Sequence, residues 1–368
     1  MFKNYKIFKK DLAGKSLIVE TGKMAFFANG TCLVRYGDTV VNVAVTASEE
    51  PREGIDFFPL SVDFEEKLYS VGKIPGSFSK REGRPSEKAV LSSRVIDRSI
   101  RPLFPKDMRN DVLVVCTVMS VDEDCSPEIA AMIGTSIALS ISDIPWNGPI
   151  SSTHVGYVNG TIVINPSLAK REISKLSLNV ASSSERVVMI EAGADIISNE
   201  IMLSAIKAAH GANRVIIEFI NDIKEVIGKE KFSYVSNDAN PIMYDEIKQF
   251  AIADVKLALE NDDKNIRNSL LNSLYKKTKE EFSTRYSEED VSKIRECLYK
   301  LQKHVVRKWI LDEGKRVGGR ALDEIRELSS EVGFLPRVRK FFLTDYFFYV
   351  INKFDYYSIC SVRGFYGR

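Results

Sequence analysis

The sequence predicts an α+β domain followed by a small all-α domain. Three observations carry this. Strand-length β-branched runs are interleaved with helical stretches over residues 1–228. Glycine is absent from Lys229 to Glu313, and apolar residues there recur at helical spacing. A Gly-rich break, Gly314 to Gly319, then ends that stretch.

Along the first domain, Ser16–Glu20, Thr31–Tyr36 and Thr39–Thr46 are β-branched runs broken by Gly and Asn-Gly, and they read as an antiparallel sheet. Asn29-Gly30 and Asn159-Gly160 are both hairpin dipeptides, because a type I′ turn takes residues that tolerate φ > 0. The second lies between Val155–Val158 and Thr161–Ile164. Ser86 to Ile100 reads as a helix ended by Pro102. Ser126-Pro127-Glu128 supplies an N-cap, a first-turn proline and an acid facing the helix dipole, ahead of the apolar run Ile129–Ile141. A further helix is expected over Ser198–Ala209.

Residues 229–239 form a linker in this reading, and 240–313 the helical domain. Ile247, Ala251, Val255 and Ala258 fall on one helical face, and Val291, Ile294, Leu298, Leu301, Val305 and Trp309 on another. Ser287 with Asp290 resembles a capping box. A new segment, 314–337, opens near Arg320. The last 31 residues, Val338–Arg368, hold 11 of the 36 aromatics with no clean period, and are expected to be foreign to the fold. Asp345, Lys353 and Asp355 interrupt this tail short of the roughly 20 apolar residues that a membrane span needs.

The 368 residues are 44% apolar, 28% charged and 10% aromatic, which fits a soluble globular protein and excludes collagen-like, coiled-coil and disordered chains. Five scattered cysteines without a CxxC pair argue against a disulfide framework or a cysteine zinc site. No apolar h-region follows the first lysines, so a cytoplasmic protein is expected.

Several chemistries are excluded. Gly14-Lys15-Ser16 lacks the glycine a phosphate loop requires at position 9, which is Lys9. His154, His210 and His304 are not grouped, and no GxSxG elbow is present. Asp122, Glu123, Asp124 and Glu128 could form a magnesium site, but a loop with the first turn of a helix accounts for them more simply.

One segment is dense in charge. Lys73 to Arg109 holds ten basic and four acidic side chains, so 37 residues carry +6 and the rest of the chain −4, against a total of +2. Gly72–Gly83 is a loop with Phe78, Lys80 and Arg81 at its tip. An aromatic ring beside cations suits single-stranded nucleic acid, by stacking on a base and pairing with phosphates. On the following helix Arg94, Arg98 and Arg101 stand at i, i+4 and i+7, along one face. They could track a phosphate backbone, or could pair with Glu82, Glu87 and Asp97 as structural ion pairs.

These residues carry a resemblance. Phe57-Phe58-Pro59-Leu60-Ser61-Val62-Asp63, Gly72-Lys73-Ile74-Pro75-Gly76, Lys80-Arg81-Glu82-Gly83-Arg84-Pro85-Ser86-Glu87 and Ser93-Arg94-Val95-Ile96-Asp97-Arg98 follow in unbroken order. Ile100-Arg101-Pro102-Leu103-Phe104-Pro105 completes the run. Further matches are Ile129–Gly134, Glu191–Ala194, Gly319–Arg326 and Gly333–Arg337. Over residues 1–337 the chain resembles the polynucleotide phosphorylase (polyribonucleotide nucleotidyltransferase) family.

The resemblance implies a ribonuclease-PH-like first core over 1–228, a ribosomal-protein-S5-type mixed sheet with helices. It implies a helical domain next, and the start of a second, catalytic core at 314–337. It implies phosphate-dependent 3′-to-5′ degradation of RNA that releases nucleoside diphosphates, a homotrimer around an RNA channel, and magnesium held in the second core. Carried over by position, Phe78, Lys80 and Arg81 lie on the channel loop, with Arg84, Arg94, Arg98 and Arg101 beside it. No catalytic residue and no metal ligand carries over.

The chain also departs from the family. Phe78 is followed by Ser79 where the family has a second aromatic, and Gly318 stands where it has an aspartate. After Arg337 the family's phosphate- and metal-binding segments have no counterpart, so truncation is expected. The alternative reading is a catalytically dead RNA-binding fragment, or a remnant whose uncovered core surface makes it aggregate.

Overall fold

The computed structural model describes residues 4–52, 55, 57–77, 83–325, 329–331, 341–344, 347–350 and 360–362, with backbone alone from 329 onward. The chain divides into two compact units, Met1–Asn237 and Asp238–Arg368.

The first unit is α+β, as expected. Six strands, β1 (Lys6–Leu12), β2 (Lys15–Thr21), β3 (Gly30–Tyr36), β4 (Thr39–Pro51), β5 (Leu60–Glu66) and β6 (Asn110–Ser120), form one sheet in the order β1-β2-β3-β4-β6-β5. All pairs are antiparallel except β5 with β6. A parallel pair needs a crossover, and helix α1 (Glu87–Ile100) supplies it. Val41, Val43 and Val45 on β4 face Val112, Val114, Cys116 and Val118 of β6 in the core. Helix α2 (Pro127–Ile141) packs on this sheet, and every residue of it but Glu128 is buried.

A second sheet follows, of β7 (Ser151–Val158), β8 (Thr161–Ile164), β9 (Leu176–Ser182) and β10 (Val187–Ala194), in the order β10-β9-β7-β8 and wholly antiparallel. The short helix α3 (Leu168–Glu172) lies between β8 and β9, and α4 (Asn199–Ile227) packs on β7 and β9.

Asn159 (φ 50°) and Gly160 (φ 79°) form the left-handed turn expected of the β7–β8 hairpin. Asn29-Gly30 does not. The β3–β4 turn is at Gly37 (φ 59°), and Asn29 accepts a 2.9 Å bond from Ala47 N and donates one of 2.9 Å to Asp143. Gly30 is needed for close approach instead: a Cβ there would sit 2.2 Å from the carbonyl oxygen of Ala138 in α2.

Helix α4 runs 18 residues beyond the expected end at Ala209. The extension is held by packing. Ile216, Phe219, Ile220 and Ile223 enter the main core, and the buried Asn213 amide donates to Val180 O (2.9 Å) and Ser182 Oγ (3.0 Å). The 229–237 stretch belongs to the first unit and hydrogen-bonds to the rest of it, through Lys229 N to Ile141 O, Phe232 N to Asp143 O and Asn237 N to Asp107 O.

The second unit begins with helices α5 (Pro241–Leu259), α6 (Lys264–Phe282), α7 (Glu288–Ser292) and α8 (Ile294–Lys308), and a π turn over Trp309–Glu313. Both apolar faces expected from spacing are buried in its core, Ile247, Ala251 and Val255 with Val291, Ile294, Leu298, Leu301, Val305 and Trp309. Ser287 Oγ accepts from Asp290 N at 3.2 Å, the expected cap. Strands β11 (Ser329–Glu331), β12 (Phe341–Thr344), β13 (Phe347–Val350) and β14 (Cys360–Val362) pair in that order, so the aperiodic tail contributes three short antiparallel strands.

Candidate nucleic-acid interface

Helix α1 is built to present one face. Ser86 caps it by accepting from Ala89 N at 3.0 Å, and Glu87 stands in its first turn. Ala89, Ser92, Ile96, Ser99 and Ile100 are buried, which turns Arg94 and Arg98 outward.

The structure separates the four arginines that the sequence grouped. Arg84, Arg94 and Arg98 are exposed and make no hydrogen bond or ion pair among the described residues. Arg101 differs in being paired. Its guanidinium pairs with Asp97 (Nη2 to Oδ1, 2.6 Å) and donates to Phe58 O and Leu60 O at 3.0 Å each. It ties the end of α1 to the start of β5, so the structural ion-pair reading applies to Arg101. Arg109 is likewise structural, 6% exposed and donating to Lys106 O and Met108 O. Phe78, Lys80 and Arg81 lie outside the described residues.

Beside α1 opens a cleft of about 1040 Å³, walled by β5, the N-terminal turns of α1 and α2, α3 and the second sheet. Arg84, Lys88, Arg171, Ser126 and His154 line it. Lys88 lies 3.1 Å from Glu128 and 3.9 Å from Glu66. Burial pushes the Glu128 carboxyl up, but bonds from Ser126 and the Lys88 charge outweigh it and hold it below the usual range. His154 Nδ1 is 2.8 Å from Asn179 Oδ1, and burial lowers the imidazole pKa. Arg171 donates to Glu123 O, while its buried Nε has no partner among the described residues.

The sequence singled out neither Arg171 nor Lys88, and gave His154 no group to join. They lie on α3, α1 and β7, far apart in the chain, so no local spacing marks them as neighbours.

The acidic residues expected near the start of α2 are engaged in local bonds. Asp122 Oδ1 accepts from Asp124 N, Asp124 Oδ1 accepts from Leu168 N, and Glu128 binds Ser126 and Lys88. No group of three metal-ligating side chains occurs among the described residues. No helix among them is long and apolar enough to cross a membrane.

Residues 13–145 match the family model for the 3′ exoribonuclease family, domain 1, and 148–212 the model for domain 2. Residues 243–321 match the polyribonucleotide nucleotidyltransferase RNA binding domain. Among curated proteins, the polyribonucleotide nucleotidyltransferase of Ruminiclostridium cellulolyticum is 55% identical over 333 residues, 90% of this chain and 47% of that protein. Those of Caldicellulosiruptor bescii (51% over 332 residues; 90% and 47%) and Clostridioides difficile (50% over 335 residues; 90% and 48%) are similar too. The chain thus spans about half the length of the curated relatives it matches. Among solved structures, rice Rrp46 aligns at a TM-score of 0.46 and 15% identity, over 61% of this chain and 96% of that one.

Proposed function

The chain belongs to the polyribonucleotide nucleotidyltransferase family, and from that premise we propose that it supplies the RNA-contacting first core for phosphate-dependent 3′-to-5′ RNA degradation. Inorganic phosphate is the co-substrate, and nucleoside diphosphates are the products. Three copies close around the strand, in the cytoplasm, and magnesium serves the chemical step from ligands outside the residues described above. Phe78, Lys80 and Arg81 form the channel loop, continued by Arg84, Arg94 and Arg98.

One observation carries the reading. Among the described residues Arg94 and Arg98 are exposed and unpaired on α1, whereas Arg101 at the end of the same helix is tied down. Unpaired guanidinium groups one turn apart can meet successive phosphates, and counterion release then drives association.

The test is fluorescence anisotropy with labelled oligo(A) across a salt series. Arg94→Ala/Arg98→Ala should weaken binding and flatten the salt dependence. Binding that ignores both salt and these substitutions sinks the proposal. Incubation with oligo(A), magnesium and phosphate decides the chemical step: sustained ADP release assigns turnover to this chain, and binding without release leaves the RNA-contacting role alone.

A further inference from the structure

Arg84 has no side-chain tie of its own. It is exposed, and no hydrogen bond or ion pair holds it among the described residues. Its backbone is constrained instead. Pro85 follows, with its own φ fixed by the ring, and keeps Arg84 out of the helical region. Ser86 comes next, extended at φ −63° and ψ 157°. Arg84-Pro85-Ser86 is therefore a stiff stretch, and the setting of Ser86 decides where Arg84 leaves the fold.

Ser86 is set by Glu66. The Ser86 hydroxyl donates to Glu66 Oε2 (2.7 Å) and accepts from Ala89 N (3.0 Å), so one oxygen joins β5 to the first turn of α1. Glu66 ends β5 and stands opposite Val118 in the parallel ladder with β6, so its backbone belongs to the main sheet. Lys88 Nζ, 3.9 Å from Glu66 Oε1, adds a second tie from the same helical turn. Glu66 and Arg84 line the same cleft. An acid beside a surface that meets phosphates is unfavourable as a charge.

We infer that Glu66 is a positioning residue for the RNA contact: by holding the Ser86 hydroxyl it fixes the limb of chain that carries Arg84. The inference rests on the RNA reading above and adds to it a residue that itself touches no RNA. Two effects of Glu66 oppose each other. As a charge it repels a polyanion, so its removal should tighten binding. As an acceptor it orders Arg84, so its removal should weaken binding. The sign of the change tells them apart.

The experiment uses the full chain and labelled oligo(A) over a salt series. Glu66→Ala should weaken binding about fivefold and lower the slope of log affinity against log salt by about 0.7, the value for one single-strand phosphate contact. Glu66→Gln keeps an acceptor for Ser86 and should bind at least as tightly as the parent. Added to Arg84→Ala, Glu66→Ala should bring no further loss, because the group it orders is already gone. The Ser86–Glu66 bond is exposed, so the melting temperature of Glu66→Ala should stay close to the parent's. Unchanged or tighter binding in Glu66→Ala overturns the inference, as does an equal loss with and without Arg84, or a loss in Glu66→Gln equal to that in Glu66→Ala. Loss with Arg94→Ala/Arg98→Ala but not with Glu66→Ala defeats this inference alone. Indifference to Arg84→Ala and to Arg94→Ala/Arg98→Ala defeats the RNA reading itself.

Discussion

Arg101 and Asp97 are joined one helical turn apart on α1 by hydrogen bonds of 2.9 Å (Nε to Oδ2) and 2.6 Å (Nη2 to Oδ1). The pair fixes the guanidinium so that its remaining donors reach Phe58 O and Leu60 O. Arg98, three residues earlier, is exposed and has no such lock among the described residues. Neighbouring arginines on one helix therefore differ in how they are held.

Arg101→Ala is expected to cost about 1–3 kcal/mol, because a charge-assisted fork is lost and the Phe58 and Leu60 carbonyls lose the guanidinium. Thermal unfolding should drop by several degrees while oligo(A) affinity stays near the parent's. A variant that melts normally and binds RNA poorly would return Arg101 to the interface.

Lys80→Ala/Arg81→Ala should weaken oligo(A) binding and reduce its salt slope by about 1.4, the value for two single-strand phosphate contacts. Anisotropy at several salt concentrations measures both. Full retention of affinity removes the channel-loop assignment.

Glu20 predicts an acid-side loss of stability. It is 5% exposed, and accepts from Tyr5 Oη (2.7 Å), Arg35 Nε (2.7 Å) and Lys23 Nζ (3.1 Å). Burial alone would push its carboxyl up; these hydrogen bonds outweigh burial and lower it from 4.5 to about 2. A depressed folded-state value stabilises fully above pH 4.5, and the contribution disappears as pH falls toward 2. Its size is on the order of 2 kcal/mol, discounted for the solvent-screened lysine and arginine partners. Urea unfolding at stepped pH should show the loss in the parent and a flatter profile in Glu20→Gln.

Gly30→Ala should destabilise the first unit by about 1–3 kcal/mol, since the new Cβ meets the Ala138 carbonyl and forces α2 off the sheet. Chemical denaturation measures it. An unchanged midpoint would show that strand and helix have room to part.

The two Asn-Gly dipeptides show how far local chemistry reaches. Asn159-Gly160 turns because the strands on either side pair directly across it. Asn29-Gly30 has the same chemistry, yet Gly30 already pairs with Val45 inside the β3–β4 ladder. Helix α4 shows the same limit from the other side: it runs 18 residues past Ala209, where the sheet carbonyl and hydroxyl that accept from the Asn213 amide are distant in sequence.

The residues alone determined the strand runs, the Ser86-capped start of α1 and the proline-led start of α2 (where the Ser126 hydroxyl donates to Glu128 instead of capping), the apolar faces of α5 and α8, and the run of basic segments that carries the family resemblance. These depend on spacing within one element, which periodicity and capping chemistry express directly. Only the tertiary structure decided which arginine of α1 is tied down, why Gly30 must be glycine, and that Arg171, Lys88 and His154 line one cleft. Each of those turns on atoms brought together from separate elements, and the distances between such atoms are set by packing rather than by position along the chain.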